Sequence, residues 1–289
     1  MVLFLTFCVA PALLVAAAME GAGSPVEADA AEAEETLAEE TFEVTDENNM
    51  LLGTAGDDLI EGFEEPGEIP DEIDLLEGDD TLTLEDALDI VVGGGEGNDV
   101  LTSLAAGNTL SGGAGDDVLA GMGGAQLLGD AGDDTLSADL TAGDTGAETR
   151  LDGGDGADDL TVVAQVGTDQ PDLGESILTG GTGTDIFTVE LELVDSLEDI
   201  DSSGDVAVNI GRIEDFDPQE DMLMVEILPQ PGADIRPVDV EVSQEADGEG
   251  FISTLTLIFP ETERAAEAFA AIDIISDVPL TAEDLGVLG

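Results

Sequence analysis

The chain contains no histidine, no tryptophan and no tyrosine, a single cysteine and only four basic residues. Without histidine there is no Ser–His or Cys–His nucleophilic pair and no His-x-x-x-His zinc protease site. Cys8 has no second thiol to pair with, so no intrachain disulfide braces the fold. It lies in an apolar run behind Thr6 and Phe7, which are not the small residues of a lipid-attachment site, and it reads as a bystander. The four arginines, Arg150, Arg212, Arg236 and Arg264, are dispersed among 70 acidic residues, and the formal net charge is −66. That balance excludes a nucleic-acid backbone or an anionic membrane surface as partner, because both are gripped by basic surface. Paired carboxylates can hydrolyse glycosides, but among so many acids a pair carries no information. The Trp and Tyr platforms on which sugars stack are absent.

The charge opposes compaction unless cations neutralise it. Apolar residues nevertheless make up 42% of the chain, enough for a core and too much for a wholly disordered acidic tail.

Glycine and aspartate are present in a pattern. Nine-residue units recur: GTAGDDLIE (Gly53–Glu61), GGEGNDVLT (Gly94–Thr102), GGAGDDVLA (Gly112–Ala120), GDAGDDTLS (Gly129–Ser137), GGDGADDLT (Gly153–Thr161) and GGTGTDIFT (Gly180–Thr188). LLEGDDTLT (Leu75–Thr83) keeps Gly78, Asp80 and Leu82. The first six fit G-G-x-G-x-D-x-U-x, with U a large apolar residue. Glycine in places one, two and four lets the loop curl with its carbonyls inward. The sixth place carries Asp58, Asp80, Asp99, Asp117, Asp134, Asp158 and Asp185. The final x-U-x is a short strand with its middle side chain facing in: Ile60, Leu101, Leu119, Leu136, Leu160 and Phe187. Turn, strand, turn, strand winds into a flattened right-handed coil with about two units per circuit.

Calcium is a hard cation that takes about 6–8 oxygen ligands from carboxylates and carbonyls. The candidate ligating positions are Gly53, Gly56 and Asp58; Asp80; Gly94, Gly95, Gly97 and Asp99; Gly112, Gly113, Gly115 and Asp117; Gly129, Gly132 and Asp134; Gly153, Gly154, Gly156 and Asp158; and Gly180, Gly181, Gly183 and Asp185. They imply several ions, about four to six; even six would supply only about 12 positive charges and leave most of the acid as solvated surface.

The register divides the coil into two edges. Gly94 to Gly112 is 18 residues and Gly112 to Gly129 is 17. Between them lie decayed units, SLAAGNTLS (Ser103–Ser111) and GMGGAQLL (Gly121–Leu128). They place Asn108 and Gln126 in the sixth position and Leu110 and Leu128 in the eighth, so one edge carries the carboxylates and the other is expected to hold few ions. Asp117→Ala is expected to raise the calcium midpoint for folding clearly, and Asn108→Ala or Gln126→Ala to move it little. The 24- and 27-residue steps to Gly153 and Gly180 fit if loops on the decayed edge have lengthened.

Residues 1–19 read as a signal peptide or a single membrane anchor, since Val2–Met19 carries no charge and just reaches spanning length. Residues 20–49 read as a disordered acidic linker, 50–189 as the roll with an acidic insert at Phe63–Asp74, and 190–289 as a β-rich cap. In the cap, strands are expected at Val206–Ile210 and Met222–Leu228, and a hairpin over Val238–Val242 and Ser253–Phe259 around Asp247–Gly250. A helix is expected within Glu261–Ala271, and a last strand at Asp273–Ser276.

With these nonapeptides, and with GGTGTDIFTV followed by IEDFDPQEDML, the chain resembles the RTX, or haemolysin-type, calcium-binding repeat proteins of Gram-negative bacteria over roughly Leu52–Asp221. The resemblance implies an all-β parallel β-roll. It also implies that the sixth-place carboxylates and neighbouring glycine carbonyls bind calcium between loops one circuit apart, and that the protein is exported and folds outside the cell. The N-terminal apolar segment departs from the type I export usual for such proteins, and no catalytic domain accompanies the repeats. The expected function is therefore a non-enzymatic calcium-binding protein, extracellular or at the cell surface, whose macromolecular partner is unknown. The alternatives are a carbohydrate-binding or polysaccharide-modifying module, and an adhesin or matrix component.

Overall fold

A computed structural model of the chain describes residues 43–45, 49–61, 70–85, 89–143, 147–166, 175–193, 206–228, 239–247, 250–259, 268–281 and 284–287. The apolar run at 2–19 and most of the linker lie outside them, as does much of the insert at 63–74. No helix occurs among the described residues, and none there is long and apolar enough to cross a membrane.

The strands fall alternately into two sheets. One sheet begins with β1 (Glu43–Thr45) antiparallel to β2 (Met50–Leu52). It continues in parallel through β4 (Glu72–Asp74), β6 (Val91–Glu96), β8 (Thr109–Ala114), β10 (Gln126–Ala131), β12 (Thr149–Asp155), β14 (Ser176–Thr182) and β16 (Val206–Ile213). The other holds β3 (Leu59–Glu61), β5 (Thr81–Leu84), β7 (Val100–Ser103), β9 (Val118–Gly123), β11 (Thr135–Gly143), β13 (Asp159–Val166), β15 (Ile186–Leu193) and β17 (Met222–Leu228), closed by β21 (Gly286–Val287). This is the parallel β-roll implied by the nonapeptides. Its winding continues past residue 189: β16 pairs in parallel with β14, and β17 with β15.

Alternation along each strand puts one large apolar side chain per short strand inside. Ile60, Leu82, Leu101, Leu119, Leu136, Leu160, Phe187 and Leu223 stack in register along one sheet. Leu51, Ile73, Val92, Leu110, Leu127, Leu151, Leu178 and Ile213 stack along the other. All are buried. Each leucine contributes about 1.5–3 kcal/mol through burial, but one circuit alone would bury only two such residues. Later circuits widen the core, where Ala138 and Leu140, Val162 and Ala164, and Val189 and Leu191 extend it. The lengthening lies on the decayed edge: β11 and β13 run on toward it, and residues 144–146 and 167–174, between β11 and β12 and between β13 and β14, are outside the described segments.

Beyond the roll, β18 (Asp239–Asp247) and β19 (Gly250–Phe259) form the expected hairpin, with Asp247 opposite Gly250. β20 (Ala268–Ser276) lies between β19 and β16, antiparallel to the first and parallel to the second. The stretch Ala268–Ala271 is thus strand and not helix; the rest of 261–271 lies outside the described residues. Alanine-rich composition favours a helix, but Ala270, Ile272 and Ile274 alternate inward and are buried, so packing overrides propensity.

Candidate metal centre

Every sixth-place aspartate stands immediately before a strand of the second sheet, so Asp58, Asp80, Asp99, Asp117, Asp134, Asp158 and Asp185 form one row on one edge. Hydrogen bonds join them in sequence. The N–H of Asp58 donates to Asp80 Oδ1, that of Asp80 to Asp99, Asp99 to Asp117, Asp117 to Asp134, Asp134 to Asp158, and Asp158 to Asp185, at 2.7–3.0 Å. The row is therefore a ladder in which one carboxylate oxygen per rung is spent on holding the next circuit in place.

The second oxygen is not spent. Oδ2 of Asp80, Asp99, Asp117, Asp134 and Asp158 is buried and without a hydrogen-bond partner, and these residues are at most 1% exposed. Unpaired buried carboxylate oxygens are costly and rare. Burial, more than any neighbour, pushes the Asp117 carboxyl up to about 7 from 3.8, and those of Asp80 and Asp158 up to about 6. The bond accepted from the preceding rung acts in the opposite direction, and the neighbouring aspartates add to the rise. Asp99, Asp134 and Asp185 are raised for the same first reason. A cation would relieve all of these carboxylates at once.

The glycines place further oxygens beside the unpaired ones. A Cβ at Gly94 would strike Asp99 Oδ2 and the carbonyl of Gly112; one at Gly129 would strike Asp134 Oδ2 and the carbonyl of Gly153; and one at Gly153 would strike Asp158 Oδ2 and the carbonyl of Gly180. The first-place glycine thus leaves a notch where a loop's own carboxylate and a carbonyl from the next circuit meet. Fourth-place Gly97, Gly115, Gly132, Gly156 and Gly183 have positive φ and rest on the carbonyl of the fourth-place glycine one circuit earlier. Among the described residues no three acidic side chains gather as a carboxylate cage, so an ion here would draw on these carbonyls together with the carboxylates. That mixed oxygen set is what calcium accepts.

One further row and an extension of the first were not anticipated. Fifth-place side chains make an exposed second ladder of opposite direction: Asp57, Asp79, Asn98, Asp116 and Asp133 accept from the backbone N–H of Asp79, Asn98, Asp116, Asp133 and Ala157 at 2.8–3.1 Å. Its signal was present, since the fifth place is Asp or Asn in five consecutive loops on this edge. At the C-terminal end the inner ladder gains an eighth rung, where the Asp185 N–H donates to Asp221 Oδ1 at 3.1 Å. Asp215 accepts from Gly180 and Gly181 at 2.9 and 2.8 Å. Neither residue lies in a nonapeptide, so spacing alone could not find them. Phe216 between them packs on Phe187, with ring centroids 6.0 Å apart at 56°, which seats this turn on the roll.

The opposite edge is built differently. Asn108 is fully buried; its Oδ1 accepts from Ile90 N–H at 2.9 Å, as in the ladder, but its Nδ2 donates to Ser103 Oγ at 2.8 Å. The amide finds its second partner in the protein, where the carboxylates do not. Gln126 does not share this place. Leu127, not Leu128, pairs with Leu110 and points inward, so the counterpart of Asn108 is Ala125, and Gln126 is exposed. The Met122–Ala125 turn, closed by an Ala125 N–H to Met122 carbonyl bond at 3.0 Å, makes this circuit one residue shorter and moves the register.

The family model of the RTX calcium-binding nonapeptide repeat matches four copies, over residues 43–64 and 93–125. No curated protein matches the chain. The chain thus carries RTX calcium-binding repeats, and the ladder continues in the same register through the loops of Asp134, Asp158 and Asp185, beyond the matched residues.

Proposed function

We propose that these repeats make the chain a calcium-binding protein that winds into its roll when calcium fills the Gly/Asp loops, and that it does so outside the cytoplasm. The observation that carries this reading is the row of buried, unpaired Oδ2 atoms on five successive aspartates. Asp80, Asp99, Asp117, Asp134 and Asp158 hold the ions with glycine carbonyls of adjacent circuits; Oδ1 fixes each loop and Oδ2 faces the ion. Bound calcium supplies positive charge where the fold has buried negative charge. Without it, the loops of a chain with net charge −66 repel one another and the ligands do not converge, so binding and folding are one equilibrium. The C-terminal strands close the exposed end of the core, as a solenoid requires. With no histidine to activate a nucleophile, the chain is read as a binding and structural element and not as an enzyme.

Extracellular calcium sites have affinities of about 10⁻⁴–10⁻³ M, far too weak to fill in a cytosol, and an apolar segment suited to export stands at residues 2–19. Far-UV circular dichroism of the purified chain is expected to show little β structure in chelator and a large gain in millimolar calcium. An identical β spectrum in both conditions would remove the reading. Cell fractionation is expected to place the chain outside the cytoplasm, and recovery of a soluble cytoplasmic pool alone would remove that part of it.

A further inference from the structure

The two ends of the carboxylate ladder differ from its middle. At the first rung Thr54 folds over Asp58: its N–H donates to Oδ2 at 2.7 Å and its hydroxyl to Oδ1 at 3.0 Å. At the last rung both oxygens of Asp221 accept backbone N–H groups, Oδ1 from Asp185 at 3.1 Å and Oδ2 from Asp217 at 2.7 Å. The N–H of Asp221, which has no further rung to bind, donates to the Asp217 carbonyl at 2.7 Å. The acceptor left over at one end and the donor left over at the other are both closed by local turns. Among the described residues only Asp80, Asp99, Asp117, Asp134 and Asp158 retain a buried, unpaired aspartate Oδ2; that of Asp185, in the loop whose Gly180 and Gly181 N–H groups bond Asp215, is not one of them.

Resting on the calcium-binding reading of the loops, we propose that ions enter only these five rungs, and that Thr54 and Asp217 are caps which put hydrogen bonds where an ion would otherwise sit. An oxygen already accepting a 2.7 Å bond from a backbone N–H must give up that bond to meet calcium, and the N–H dipole pointing at the site opposes a cation. The terminal loops also have a neighbouring circuit on one side only, so half of the carbonyls that would complete the 6–8 oxygens calcium takes are missing. Capping by hydrogen bonds lets the roll end without a half-built site.

The test counts calcium ions retained per full-length chain by atomic emission, after gel filtration in magnesium-containing buffer of high ionic strength to strip ions held loosely by surface charge. The wild type is expected to retain five, one for each unpaired rung. Asp117→Asn, which keeps the shape and the ladder acceptor, is expected to retain fewer, whereas Asp58→Asn and Asp221→Asn retain the wild-type number. Any other non-zero wild-type count, loss of an ion in either terminal variant, or no loss in Asp117→Asn overturns the assignment and leaves calcium binding standing. A wild-type chain that retains none overturns the calcium-binding reading itself. Where a terminal variant unravels its end circuit, the wild-type count and Asp117→Asn decide.

Discussion

Asn108 and Asp117 show how one atom separates a structural corner from the ligand proposed for calcium. Each offers Oδ1 to a backbone N–H in the adjacent circuit. The second atom of Asn108 is a donor and is satisfied by Ser103; that of Asp117 is an unpaired acceptor. Asn108→Ala would strand the Ile90 N–H, at about 1–3 kcal/mol for a buried group left unpaired, while the Ser103 hydroxyl keeps its bond to the Ala105 carbonyl at 3.0 Å. The expected outcome is lower stability at saturating calcium, read from denaturant titration, with the number of bound ions unchanged; unaltered stability would show that water replaces the amide. The position of each sixth-place aspartate was legible because a fixed offset from glycine puts it at the same point of every turn. Thr54, Asp215 and Asp221 were not legible, because they act through contacts across the ladder's ends and belong to no repeating offset.

At the scale of the element, each strand is too short to be stable alone and takes its place from the neighbour above and below. The interior rows were readable wherever the template was intact, as for Leu101, Leu119 and Leu136. They slipped by one at Leu127, because in a strand a single missing turn residue exchanges the inward and outward faces. Besides the pairing of β16 with β20, the C-terminal turn ties roll to cap. Phe216 is 1% exposed and packs on Phe187 in the leucine row, while its N–H donates to the Ile275 carbonyl in β20 at 3.2 Å. Phe216→Ala removes about 3–5 kcal/mol of buried packing, concentrated where Asp215 and Asp221 meet the last nonapeptide loop. Hydrogen exchange at saturating calcium is expected to speed up first in β15, β17 and β20 while β7 and β9 stay protected. Uniform acceleration along the roll would mean that the coil opens as one unit and that the turn is no local clasp.

Over the whole molecule the proposed calcium binding would couple metal, protons and folding through the ladder, and the sign of the coupling follows from burial. In the metal-free fold Asp80, Asp117 and Asp158 titrate at about 6, about 7 and about 6, against 3.8 for the ordinary group. Between those limits the folded chain holds protons that the unfolded chain does not, so metal-free stability is greatest below the unfolded value and is lost as pH rises through about 6 to 7. Calcium has the opposite preference, because its ligands must be deprotonated. Free aspartate and glutamate side chains titrate near about 4, so general discharge of surface carboxylates belongs to a separate, lower window. Stripped of metal, the chain is therefore expected to gain β structure on going from about pH 7.5 to about pH 5.5, above the range in which ordinary surface carboxylates titrate. Over the same interval the calcium midpoint for folding should rise, as protons occupy the oxygens that the ion needs. Circular dichroism of the metal-stripped chain, with calcium titrations at both ends of the interval, measures the two effects together. A metal-free gain confined to pH below about 4.5 would assign the effect to relief of general charge repulsion, and a calcium midpoint independent of pH would detach the buried aspartates from the ion.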